Sequence, residues 1–173
     1  MLSRVLPALI LSAAIAQTSH AQDYVNAALE NVYTGQLLVN YHNGAGYVFT
    51  YPAYEYTGSD FERINWRAEY LADGSLRFRN AYYTDVCLHV DSDYSGVYTQ
   101  ACDNSDHQRF TPIYTSTGAV QLKSRSNSNC LYVDSGSSNS TVYHKACSTG
   151  SIDATELWVI TVPRGAAKSL PTQ

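Results

Sequence analysis

Gly74–Phe110, GSLRFRNAYYTDVCLHVDSDYSGVYTQACDNSDHQRF, recurs in its essentials as Gly118–Trp158, GAVQLKSRSNSNCLYVDSGSSNSTVYHKACSTGSIDATELW. Each copy runs from a glycine-led strand to C-L-x-V-D-S, then to V-Y-x-x-A-C, and closes on an aromatic residue. Corresponding points lie 43 residues apart at Cys87 and Cys130, 45 at Cys102 and Cys147, and 44 at Gly74 and Gly118. A fixed period of this size denotes a repeat architecture, in which one unit cannot bury its apolar face alone.

Inside the copies the apolar residues follow a period of two. Ser75–Arg79, Cys87–Val90 and Val120–Lys123 alternate, and Trp158–Val162 does so approximately. Turn-forming clusters at Ala72–Gly74, Ser92–Gly96, Asp103–Asp106, Ser124–Asn129 and Ser135–Ser140 separate them. Short alternating strands with such punctuation describe an all-β domain. No helix is expected after residue 21, apart from a single turn at Asn26–Glu30.

Two copies do not close a repeat core, so a third is expected upstream. Trp66 lies 44 residues before Phe110, and Gly35-Gln36-Leu37-Leu38 resembles the opening of the later copies, although no cysteine falls between. Three units of about 40–45 residues, each of four short strands ending on an aromatic, predict a β-trefoil over residues 35–163. Trp66, Phe110 and Trp158 are then core residues at a shared centre.

The four cysteines, Cys87, Cys102, Cys130 and Cys147, all fall in the two clear copies. The repeat selects the pairing within each copy, Cys87 with Cys102 and Cys130 with Cys147, from the three possible connectivities. A zinc site would need closely spaced Cys or His ligands, which the sequence lacks. Residues 1–21 have Arg4, an apolar run Val5–Ala16 broken by Ser12, and Ser19-His20-Ala21 before the expected cut. That is the pattern of a cleaved secretory signal peptide, and the apolar run is too short to span a bilayer. Residues 22–34 are read as an N-terminal arm and 164–173 as a C-terminal tail.

The formal charge is −4, from 11 basic and 15 acidic residues, and only 15% of the chain is charged. No basic stripe is available to neutralise phosphates, so direct nucleic-acid binding is not expected. Fifteen tyrosines suit recognition through ring faces and hydroxyls. The richest stretch is Tyr47-Val48-Phe49-Thr50-Tyr51-Pro52-Ala53-Tyr54-Glu55-Tyr56. At strand spacing Tyr47, Phe49 and Tyr51 share a face, and Pro52 ends the ladder or confines it to an edge. Tyr47, Phe49, Tyr51, Tyr54 and Tyr56 are therefore the candidate ligand-binding residues, with Phe49 the most apt to be buried because it lacks a polar handle. No esterase, zincin, phosphate-loop or paired-carboxylate pattern is found, so no catalytic residue, metal or cofactor is assigned. His89, His107 and His144 lack metal-ligand spacing and read as strand or surface residues. Asp91 and Asp134 read as turn residues, and Gln108 as a structural hydrogen-bonding amide.

C-L-x-V-D-S, V-Y-x-x-A-C and Gln108-Arg109-Phe110 resemble the ricin-type lectin repeat, whose units carry an internal disulfide and close on Gln-x-Trp. More narrowly, Phe110–Ser124, Asn129-Cys130-Leu131 and Leu157–Pro163 resemble the A and C subunits of bacterial cytolethal distending toxins. That resemblance implies a secreted, non-enzymatic subunit that pairs with a second trefoil subunit. It implies binding to a host-cell surface glycan or glycoprotein, carriage of a nuclease-type subunit, and terminal arms that grip the partners. The chain departs from sugar-binding lectin units: His89 and Tyr132 stand where an Asp would accept bonds from sugar. His107-Gln108 and Thr155-Glu156 replace the Asn-Gln pair. A free-standing secreted lectin stays open, as does a hydrolase inhibitor using the Pro52–Asp60 loop. The chain has no cysteine just after residue 21 to carry a lipid, which leaves a freely soluble subunit or a C-type one equally open.

Overall fold

The computed structural model describes residues 24–42, 45–55 and 58–165. The expected signal peptide and residues 166–173 of the tail lie outside them.

Twelve short strands follow the turn punctuation of the sequence. They are β1 (Tyr24–Asn31), β2 (Leu37–Asn40), β3 (Gly46–Tyr51), β4 (Asn65–Tyr70), β5 (Leu76–Asn80) and β6 (Val86–His89). The rest are β7 (Tyr98–Ala101), β8 (Phe110–Tyr114), β9 (Val120–Ser124), β10 (Asn129–Val133), β11 (Ser140–Ala146) and β12 (Leu157–Thr161). Single 3-10 turns occur at Ala53–Glu55, Asp106–Gln108 and Ala154–Glu156, and a longer one at Gly58–Ile64. Gly35, Gly74 and Gly118 all have φ between 65° and 86° and sit in the β1–β2, β4–β5 and β8–β9 turns. A residue with a Cβ is strained in that region, so glycine recurs at these three turns.

The expectation of a β-trefoil is corrected by the strand pairing. All twelve strands join one antiparallel sheet in the order β10-β11-β3-β2-β1-β12-β9-β8-β5-β6-β7, with β4 bonded to β1 and β5. Further pairings, β3 with β7 and β10 with β9, close the sheet on itself. Bonding runs freely across the sequence-unit boundaries, as in Leu29↔Ile160 between β1 and β12 and Thr141↔Phe49 between β11 and β3. The fold is therefore a closed all-β barrel, in place of three self-contained units. A repeat in sequence dictates local hairpins; it does not dictate which copies pair, and closure removes exposed edges wherever partners from different copies can meet.

The helical turn expected at Asn26–Glu30 is also corrected. These residues lie within β1, where Ala27, Ala28 and Leu29 are buried. Pairing with β12, β2 and β4 overrides the local helical preference of the alanines. Beyond β12, the Arg164 N–H donates to Asn65 Oδ1 at 2.8 Å and its guanidinium meets Glu30 at 2.9 Å.

Trp66, Phe110 and Trp158 are all fully buried and belong to one cluster with Leu29, Leu38, Val48 and Phe78, among others. Each tryptophan N–H finds a carbonyl at 3.1 Å, Trp66 on Leu38 and Trp158 on Leu131. Burying those rings therefore leaves no indole donor unpaired. The alternation read in the strands does not leave one face wet. β5 and β9 bury polar residues as well, and Arg77 and Gln121 among them are paired. Arg77 donates to Glu69 at 2.6 Å and to the Asp103 carbonyl at 2.7 Å. Glu156 accepts from Gln121 at 2.8 Å and from the Ser148 N–H at 2.9 Å.

The disulfides are Cys87–Cys102 and Cys130–Cys147, as the repeat predicts. Cys87 is buried in β6 opposite Arg79 of β5. Replacing Cys87 and Cys102 together by alanine is expected to lower unfolding stability by about 2–5 kcal/mol, read by denaturant titration. A loss under about 0.5 kcal/mol would show that the bridge does not limit the unfolded chain.

Candidate functional site

β3 divides its side chains by the period of two. Val48 and Thr50 are fully buried, whereas Tyr47, Phe49 and Tyr51 occupy the other face. The strand pairs with β2 along Leu37↔Tyr51 to Asn40↔Val48. It meets β11 at Thr141↔Phe49 and β7 at Tyr47↔Tyr98. Pro52 follows at once and the chain turns into Ala53–Glu55, where Tyr54 is 81% exposed. Tyr56 lies outside the described residues. Phe49, expected to be the buried ring of the set, is only half-buried like Tyr51, because the core places belong to Val48 and Thr50.

The three outward rings do not form one patch. Tyr51 stacks on Tyr41, with centroids 6.1 Å apart and planes at 14°. Both line a cleft of about 490 Å³ with Glu55, Asp60 and Arg63. Arg63 is fixed there, its guanidinium donating to the Tyr41 carbonyl at 3.0 Å and facing Asp60 at 3.2 Å. Burial, then the neighbouring Tyr41 and Glu55, raises the Tyr51 phenol, so it keeps its proton and can donate. Phe49 leans on the His42 ring at 5.9 Å.

Tyr47 joins a second group that the sequence reading did not assemble. It meets Tyr98 of β7 at 6.4 Å and a near-perpendicular 75°, and Tyr94 meets Tyr98 at 6.5 Å and 88°. Behind Tyr98 lies His89 of β6 at 4.8 Å, and behind His89 lies His107, parallel within 3° at 5.1 Å. His107 Nδ1 donates to the Val90 carbonyl at 2.8 Å. His89 is 5% exposed, and its Nδ1 has no hydrogen-bond partner among the described residues. The Tyr98 hydroxyl donates to Asp91 at 3.4 Å, and burial followed by that carboxylate pushes its pKa up to about 12. His144 Nε2 ties the loop down through the carbonyls of Tyr94 at 2.6 Å and Asp91 at 3.1 Å.

This column fills the place where the resemblance would put a sugar pocket. His89 and His107 stack on each other where a carboxylate and an amide would reach a ligand. In the other copy Tyr132 packs on Tyr143 at 5.9 Å and is covered by Lys145 at 4.6 Å. Lys145 is itself held by Asp153 at 3.0 Å and Glu156 at 3.3 Å. Gln108 is spent on structure, accepting from the Asp103 N–H and donating to the Ala101 carbonyl, both at 2.8 Å. Asp91 accepts from the Asp93 N–H at 3.1 Å, a turn bond as expected. Sequence held a signal for the column, since both pocket positions of one copy had become histidine. Tyr94 and Tyr98 carried none, because their approach to Tyr47 depends on a contact between β3 and β7.

A closed all-β barrel with an aromatic outer strand defines the class of fold. The chain belongs to the cytolethal distending toxin A/C domain family, whose model matches residues 26–171. Among solved structures it is similar to the cytolethal distending toxin of Haemophilus ducreyi. The identity is 22% with a TM-score of 0.70, covering 86% of this chain and 88% of that one. The toxin of Actinobacillus actinomycetemcomitans gives 22% identity, a TM-score of 0.68 and coverage of 86% and 94%. An earthworm R-type lectin C-half in complex with GalNAc gives 12%, 0.58, and coverage of 79% and 98%. No curated protein matches the chain in sequence.

The histidine column carries a pH expectation. Burial first, then the charge of His107, lowers the His89 pKa from its ordinary 6.5, while Asp103 and Asp91 oppose the shift. The unfolded chain therefore takes up this proton more readily than the fold. The contribution is fully present above about pH 6.5 and declines as pH falls below it. The thermal midpoint of the protein relative to His89→Phe should fall between about pH 7.5 and 5.5. A pH-independent difference would show that His89 does not titrate against the fold.

Proposed function

We propose that this protein is the non-catalytic binding and delivery subunit of a cytolethal-distending-toxin-like complex. It is exported, pairs with a second subunit of the same family and with a nuclease-type subunit, and binds a glycan or glycoprotein on the host-cell surface. The observation that carries the reading is the outward alignment of Tyr47, Phe49 and Tyr51 on β3, with the exposed Tyr54 beyond, inside a domain of this family. Tyrosine faces can stack on sugar rings while their hydroxyls stay wet, and each of the two aromatic groups that Tyr51 and Tyr47 join offers such faces. The likeness to a lectin solved with GalNAc supports the same direction. Among the described residues no helix is long and apolar enough to cross a membrane.

The test is an affinity pull-down from native secretion medium, followed by cell-surface binding of what is recovered. A second family chain and a nuclease-like chain should co-elute. Replacing Tyr51 and Tyr54 together by alanine should reduce cell or partner binding while stability changes by no more than about 1 kcal/mol. Recovery of the protein alone, with tight binding to a simple sugar, would make it a free-standing lectin. Loss of folding in the double variant would make the rings structural.

A further inference from the structure

The cleft between Tyr47, Tyr94 and Tyr98 is distinct from the Tyr41–Tyr51 cleft and is backed through Tyr98 by the histidine column. It is an open cleft of about 300 Å³, and among the described residues Ala45 and Gly46 also line it. Tyr47 is 46% exposed and Tyr94 57%, so both rings keep free area. We propose that this cleft holds one neutral pyranose ring of a cell-surface glycan by its apolar C–H face, in place of the sugar pockets that the histidine and tyrosine stacks have closed.

Four features support that assignment. Among the described residues the lining includes no charged side chain, which disfavours an acidic sugar or a basic peptide. Its size suits one hexose ring and is small for a protein segment. Tyr98 crosses both Tyr47 and Tyr94 at near right angles, so a flat aromatic ligand could not stack on all three, whereas a puckered ring can offer different edges to each. The walls are also fixed before binding. The His89–His107 stack backs the Tyr98 ring and Gly96 lies against the Tyr47 ring, while the His144 bond to the Tyr94 carbonyl holds the backbone of that loop. A Cβ on Gly96 would fall 2.6 Å from the Tyr47 ring, so only glycine lets that ring lie against the loop. Preorganised walls reduce the ordering cost that weakens sugar binding.

The inference rests on the binding-subunit reading, and the experiment separates the two. The purified full chain, labelled on its tyrosine ring carbons, is titrated by NMR with the methyl glycosides of galactose, glucose and N-acetylglucosamine. At least one should shift Tyr47, Tyr94 and Tyr98 together. Tyr94→Ala should weaken it about tenfold, Tyr94→Phe should restore most of the affinity, and Gly96→Ala should weaken it by displacing the Tyr47 ring. The Tyr94→Phe protein also controls for folding. Shifts confined to Tyr41 and Tyr51, or no shifts from any of the three glycosides, overturn the assignment of this cleft, even if cell binding persists. Loss of co-eluting subunits in Tyr94→Ala without any glycoside effect would make the cleft a protein contact and overturn it too. Glycoside shifts at Tyr94 in a protein that binds neither cells nor partners would support the cleft and overturn the delivery reading.

Discussion

The pairing of β3 with β7, Gly46↔Thr99 and Tyr47↔Tyr98, is the contact on which the rest of the structure turns. It closes the sheet between strands more than 50 residues apart, and it sets the rings of Tyr47 and Tyr98 side by side. Thr99 reinforces it from the buried side, its hydroxyl donating to the Gly46 carbonyl at 3.3 Å. Closure converts a row of unpaired strand groups into satisfied ones. It also places an aromatic cleft across the seam, where neither strand alone would make one.

The same closure explains why so many polar residues are buried. A barrel with loops folded over its ends covers both faces of several strands, so residues expected to face water must find partners. Glu69 serves both Arg77 and Arg79, and Glu156 collects bonds from Gln121, Ser148 and Lys145. Removing one member of such a cluster leaves a buried charge uncompensated, which costs far more than an exposed pair contributes. These clusters are best understood as fixing the register between neighbouring hairpins around the apolar centre.

The positions that the resemblance to lectin units would give to sugar contacts are occupied differently here. Where a ligand carboxylate and amide would stand, this chain has rings that stack on one another and seal the space. The stack backs Tyr98 and buries His89, whose Nδ1 has no hydrogen-bond partner among the described residues. Ring faces at the surface thus stand out in a chain poor in charge and rich in tyrosine.

Much of this molecule is local information. The period of two fixed which residues of β3 face inward, the turn clusters fixed where strands end, and the repeat paired Cys87 with Cys102 and Cys130 with Cys147. The burial of Trp66, Phe110 and Trp158 followed from their place at the close of each repeat. Those features depend on residues near one another in the chain or on exact recurrence, and sequence displays both. Tertiary structure alone decided that the strands pair across copies into a closed barrel and that residues 24–31 form a strand of it. It also separated Tyr47 from Tyr51 and joined it to Tyr94 and Tyr98. The physical reason is that strand pairing between distant segments is settled by the collective burial and hydrogen bonding of the whole sheet, which no local pattern records.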